Sequence, residues 1–67
     1  MRRAAQDQLD ALATCNAAAQ VACFAAMHLQ DYVTADKCRE IGIECVRLIA
    51  SIHRAERAFE LSQRVRS

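Results

Sequence analysis

From about Arg3 to Gln30 the apolar residues return at helical spacing. Leu9, Leu12, Cys15, Ala19, Cys23, Ala26 and Met27 follow one another at steps of three, four and one, with Asp7, Asp10 and Thr14 on the opposite side. That period predicts a first helix. Between Gln30 and Asp36 the run Asp-Tyr-Val-Thr-Ala interrupts the pattern with turn-tolerant and β-branched residues, and either Asp31 or Thr34 could accept the N-cap hydrogen bond of a second helix. Thr34 is preferred, with Asp36 in the first turn to meet the helix dipole. From there to about Val65 the series Cys38, Ile41, Cys45, Leu48, Ile52, Ala55, Phe59 keeps a near-heptad stripe. Glu40, Glu44, Arg47, Ser51 and Arg54 form the wet face, and Glu60 with Arg64 adds one favourable pair a turn apart.

Two long helices joined by so short a connection lie antiparallel. The expectation is an all-α, antiparallel two-helix hairpin (about 3–30 and 35–65), forming a single helical-hairpin domain over 1–67, each arm about 40 Å long at ~1.5 Å per residue. Two helices cannot cover the apolar surface this chain carries. The stretch from Ala17 to Met27 is apolar nearly all round, which requires burial on more than one side. Pairing of two hairpins into a four-helix bundle with two-fold symmetry is the simplest solution, so a homodimer or higher homo-oligomer is expected.

Composition sharpens this picture. The chain has 67 residues, no Pro, one Gly, no Trp and 25% charged residues, which excludes collagen-like, all-β and disordered classes. A formal charge of +1 provides no field to draw the chain to nucleic acid or an anionic membrane. Arg54, Arg57, Arg64 and Arg66 cluster near the C-terminus, but Glu56 and Glu60 offset them. The longest uncharged run, Ala11 to Gln30, contains Thr14, Asn16, Gln20, His28 and Gln30 and reads as too polar for a membrane span. No signal-like apolar run follows Arg2-Arg3, so a cytoplasmic protein with reduced thiols is expected.

Gly42 lies inside the second helix, where it costs up to ~1 kcal/mol against Ala. Its expected role is to let another helix approach closely beside Ile41 and Cys45, and Gly42→Leu is expected to break that packing.

Four cysteines, Cys15, Cys23, Cys38 and Cys45, are the unusual feature. Cys38 and Cys45 lie seven residues apart on one helix face, about 10 Å along the axis, too far to bind one metal together. Cys15 and Cys23 are roughly 80° out of phase. With a turn centred near Tyr32 and Val33, Met27 comes level with Cys38, and Cys23 falls between Cys38 and Cys45. That register permits a soft cluster of Cys23, Met27, Cys38 and Cys45 suited to copper(I). The plainer reading is that Cys and Met only pack, since free Cys is a small buried hydrophobe and no C-x-x-C signal is present.

The stretch Cys38-Arg-Glu-Ile-Gly-Ile-Glu-Cys45, with Ile49 four residues further on, resembles the C-x6-C-x3-C run of the cysteine-rich four-helix-bundle copper-binding family, which includes the bacterial copper storage proteins. Cys23-Phe-Ala-Ala-Met27 is similar to the Cys-Phe-x-x-Cys that precedes the turn in that family. The resemblance covers about Cys15 to Ile52. It implies thiols lining the inside of a bundle and holding copper(I), with Cys23, Cys38 and Cys45 as carried-over ligands and Met27 as a soft substitute. Cys15 is one residue off the heptad step from Cys23. Where the family pattern has Cys, this chain has Ala19, Met27 and Ile49, and it supplies two long helices where the family has four.

Other chemistry is sparse. His28 sits where a ligand at a bundle mouth would be useful, and His53 borders the stripe near Ile52 and Glu56; both read first as edge histidines. Glu40 with Glu44, and Glu56 with Glu60, are interleaved with Arg in the manner of a solvated face. No Glu-x-x-His, Gly-rich loop or nucleophile arrangement points to an enzyme or a small-molecule substrate. A redox role through an inter-chain disulfide calls for an exposed, low-pKa Cys that the sequence does not single out. The expected function is therefore copper(I) binding or handling by buried Cys thiolates. The alternative is a metal-free helical assembly module, a relic of the same family.

Overall fold

The computed structural model describes residues 1–66 and is all-helical: α1 spans Arg3–His28 and α2 spans Tyr32–Arg66. The two run antiparallel as a hairpin 57 Å long and 10 to 16 Å across.

α1 ends in a Schellman arrangement. The Asp31 amide donates to the Ala26 carbonyl at 2.8 Å and the Gln30 amide to the Met27 carbonyl at 3.0 Å. Gln30 sits in the left-handed region, φ 56°, where glycine is the usual occupant. α2 then starts at once. Asp31 caps it, accepting from the Thr34 amide at 3.2 Å and from the Thr34 hydroxyl at 2.6 Å. The expected cap, Thr34, is instead the third residue of the helix and the donor to the cap. Asp31 wins because a carboxylate there serves two donors and leads straight out of the left-handed turn. The second helix therefore begins at Tyr32, not near 35, and the turn is centred on Gln30.

The seam between the helices has a strict alternation of four and three. On α1 it runs through Ala5, Leu9, Leu12, Asn16, Ala19, Cys23 and Ala26, and on α2 through Ala35, Cys38, Gly42, Cys45, Ile49, Ile52 and Glu56, all buried or half-buried. Cys15 and Met27, placed on the α1 stripe by period, are exposed; Asn16 takes the heptad place between Leu12 and Ala19. On α2 the expected stripe is half right. Cys38, Cys45 and Ile52 are on the seam, but Ile41, Leu48, Ala55 and Phe59 lie on its exposed flank, while Gly42, Ile49 and Glu56 face α1. The seam mixes small residues, Ala5, Ala19, Ala26, Ala35 and Gly42, with the larger Leu9, Leu12, Ile49 and Ile52. At Gly42 an added Cβ would lie 3.1 Å from Asn16 Oδ1, so the close approach expected there is made by α1 of the same chain.

Glu56 closes the far end. It is 3% exposed, not on a solvated face. Its carboxylate accepts from the Arg2 amide at 3.2 Å and from Arg2 Nε at 2.9 Å, and pairs with an Arg2 terminal nitrogen at 2.7 Å. An anion from α2 thus caps the N-terminus of α1, where the helix dipole favours it and Arg2 has no side-chain cap of its own.

Candidate functional site

The register set by the turn decides which cysteines meet. With the turn at Gln30 rather than near Tyr32 and Val33, each α1 residue faces an α2 residue some five positions earlier than that sequence register implies. Cys23 then lies level with Cys38, and Cys15 with Cys45. Only Cys23 and Cys38 share a groove, while Cys45 lies buried further along the same seam and Cys15 is exposed.

The groove is open, about 450 Å³ in volume, and runs along one face of the hairpin. Cys23 and Cys38 line it from the two helices, both half-buried, above a floor that includes Ala19 and Gly42. Phe24, Ile43 and Val46 form its apolar walls and are 65%, 47% and 56% exposed. Arg39 and Arg47 also line it. Each keeps a carboxylate a turn away on its own helix, Asp36 at 3.6 Å and Glu44 at 2.9 Å.

Cys15 and Cys45 lie outside that groove. Cys45 is buried on the seam and Cys15 is exposed. Burial pushes the Cys45 thiol above its ordinary value, and the neighbouring Cys15 and then Glu44 push it further the same way. Cys45 is accordingly held as the neutral thiol.

The remaining candidates stay apart. Met27 is 45% exposed and is not among the groove residues. His28 is exposed near the turn, and His53 borders a shallow depression with Met1, Glu56, Arg57 and Glu60. The structure therefore does not gather Cys23, Met27, Cys38 and Cys45 at one place. Among the described residues no three His, Cys, Asp or Glu side chains lie together in a way that could hold a metal ion.

Sequence reasoning passed over Asn16 and the groove. A signal existed for both: Asn16 is seven residues before Cys23, and Gly42 faces it from a helix interior. A polar residue on the seam, opposite a glycine, marks a close crossing.

By length and composition α1 is apolar enough to cross a membrane, although its polar residues led to the opposite expectation; 11% of that stretch is buried in the hairpin. α2 does not meet the same test.

No protein-family model matches the chain, and no curated protein or solved structure is significantly similar to it. The likeness of Cys23–Met27 and Cys38–Cys45 to the copper-binding family thus stands on those residues alone.

Proposed function

We propose that this chain is an association module that completes its core by docking a second copy on the groove face, giving a four-helix bundle. One observation carries the reading. No large side chain among the described residues is fully buried, while Phe24, Ile43 and Val46 stand exposed around a concave apolar strip. A hairpin with so little interior is stabilised chiefly by what covers that strip. A second copy suits it because a ridge such as Phe24 fits beside the small residues Ala19 and Gly42 of its partner, and because a two-fold dimer uses the same face twice. A membrane suits it less, since Arg39, Arg47, Asn16 and Gln20 line the same strip.

The groove thiols favour a second reading built on the first. A single chain brings only Cys23 and Cys38 to this face, whereas two chains would enclose four thiols between apolar walls. Deprotonated thiolates are soft donors that suit copper(I), and Arg39 and Arg47 would offset their negative charge. Binding would release protons, so affinity would fall in acid. Copper(I) binding, not catalysis, is then the activity of the dimer.

Light scattering on the reduced protein tests the first reading. The expected mass is twice the 7.5 kDa chain, reverting to one chain in Phe24→Glu/Val46→Glu. A monomer that floats with phosphatidylcholine vesicles would overturn it in favour of a membrane surface. An anaerobic copper(I) titration against a competing chelator tests the second: retention by the dimer, lost in Cys23→Ser/Cys38→Ser but kept in Cys15→Ser, is the expected pattern. A dimer that surrenders all its copper to the chelator would leave the module metal-free.

A further inference from the structure

The groove and the shallow depression at the open end lie on the same flank of α2. Tyr32, Arg39, Val46, His53 and Glu60 follow one another at steps of seven, and Asp36, Ile43, Ala50 and Arg57 form the stripe beside them. Arg39, Ile43 and Val46 line the groove, whereas His53, Arg57 and Glu60 line the depression, about 240 Å³, together with Met1 and Glu56. Tyr32 stands at the other end of this flank, 61% exposed in the first turn of α2. Charge is divided along the same line. From Asp31 to Glu44 four carboxylates accompany two cations, whereas from His53 to Arg66 four arginines accompany two carboxylates. Arg2, Arg3 and the Met1 amine add to that basic end.

Resting on the docking of a second copy at the groove, we propose that the open-end depression seats the turn of that copy, so that the two hairpins lie with their turns at opposite ends. The groove residues of α2 run from Cys38 to Arg47, which puts the centre of the docked face between Gly42 and Ile43. A two-fold axis through that point, perpendicular to the helices, lays α2 antiparallel on its copy. Tyr32 then falls level with the partner's His53, and Asp31 with the partner's Arg54. The Tyr32 side chain leans toward the start of its helix, as helical side chains do, and so toward the depression. There its ring offers a face to the partner's Arg57, while the Asp31 carboxylate approaches the basic end. The other two-fold arrangement, with the axis along the helices, sets turn beside turn and open end beside open end. Like charges then adjoin at both ends, and Tyr32 and the depression are left without a counterpart.

Two readouts on the intact, reduced chain test this. Benzoylphenylalanine in place of Tyr32 changes an exposed side chain and reports its neighbour on irradiation. Within one chain Tyr32 and His53 are separated along α2 by about 30 Å, so a cross-link from position 32 to the segment 53–57 joins two chains. That product, located by tandem mass spectrometry, is expected. Arg57→Glu places a carboxylate opposite the acidic turn and should raise the dimer dissociation constant about fivefold at low salt, whereas Arg57→Lys should leave it within about twofold. At about 1 M salt the Arg57→Glu variant and wild type should converge. The outcomes separate the two claims. A monomer by light scattering, with no inter-chain cross-link, would overturn the docking reading and this one with it. A dimer in which position 32 joins the partner's own turn, or whose dissociation constant ignores Arg57→Glu, would keep the docking and overturn the seat.

Discussion

The two ends of the hairpin are closed by different physics. At the turn, all the bonds are local: Asp31 and Gln30 donate back to Ala26 and Met27, and Asp31 caps the helix that follows. At the open end nothing is local. Glu56 meets Arg2 across 54 positions of sequence, Arg2 stacks 4.1 Å from the Phe59 ring centroid, and the Met1 amine lies 3.6 Å from Glu60. The turn fixes register over a short loop, where closure costs little entropy. The open end then locks that register only if it is already correct, and only while its charges persist. One end is written in backbone geometry and the other in ionisation.

The largest expected effect lies between the two ends. Gly42→Leu drives a branched side chain toward Asn16 and should destabilise the hairpin by about 3 kcal/mol through overpacking. Thermal melting checks it, and an unchanged Tm would show that the seam has room to spare. Next comes the open end. Glu56→Ala leaves the Arg2 guanidinium and the α1 N-terminus without their anion, so hydrogen exchange should accelerate at the first α1 amides while those of Leu29 to Asp31 keep their protection. Equal acceleration at both ends would mean that the hairpin opens as one unit.

Acid should separate the ends more gently. The Arg2 hydrogen bonds hold the Glu56 carboxyl below its ordinary range, and the Thr34 hydroxyl and amide do the same for Asp31. Both folded values are depressed. Each group's contribution is therefore complete above the ordinary carboxylate range near pH 4 and is lost as pH falls through the folded value. Wild type should lose Tm below about pH 4. Glu56→Gln should remove the open-end share of that loss and leave the Asp31 share, so a slope that does not change in the variant would assign the acid sensitivity elsewhere.

These ends also explain what could be read from the chain. The hairpin was legible: apolar period, a single interruption and a wealth of Ala point to two antiparallel helices, and α1 begins where its pattern begins. The register was not. Choosing Thr34 over Asp31 as cap displaced the turn by about three residues, and in an antiparallel pair that displacement doubles across the seam. Cys23 consequently met Cys38 instead of falling between Cys38 and Cys45, and Met27 dropped out. The α2 seam was hidden for a related reason. Ile41, Leu48 and Phe59 flank one side of Cys38, Cys45 and Ile52, while Gly42, Ile49 and Glu56 flank the other, and hydrophobicity alone favours the first set. Close packing favours the second, since Gly42 lets α1 in and Glu56 reaches the Arg2 amide. Long-range capping by a buried carboxylate leaves no local signature for a period to detect.

The smallest expected effect sharpens the comparison from the turn side. Gln30 holds φ 56°, a conformation that costs a non-glycine residue about 1 kcal/mol or more. Gln30→Gly removes that strain but gives the unfolded chain more freedom, so the two effects partly cancel. A net gain of roughly 0.5 kcal/mol is expected, seen as a higher denaturant midpoint with an unchanged slope. The backbone bonds of Asp31 to Ala26 and Gln30 to Met27 need no side chain at position 30, so register should survive the change. A lower midpoint would mean that the Gln30 side chain contributes to the turn. A changed slope would mean that the turn no longer fixes register alone, and that the Arg2–Glu56 lock shares in choosing it.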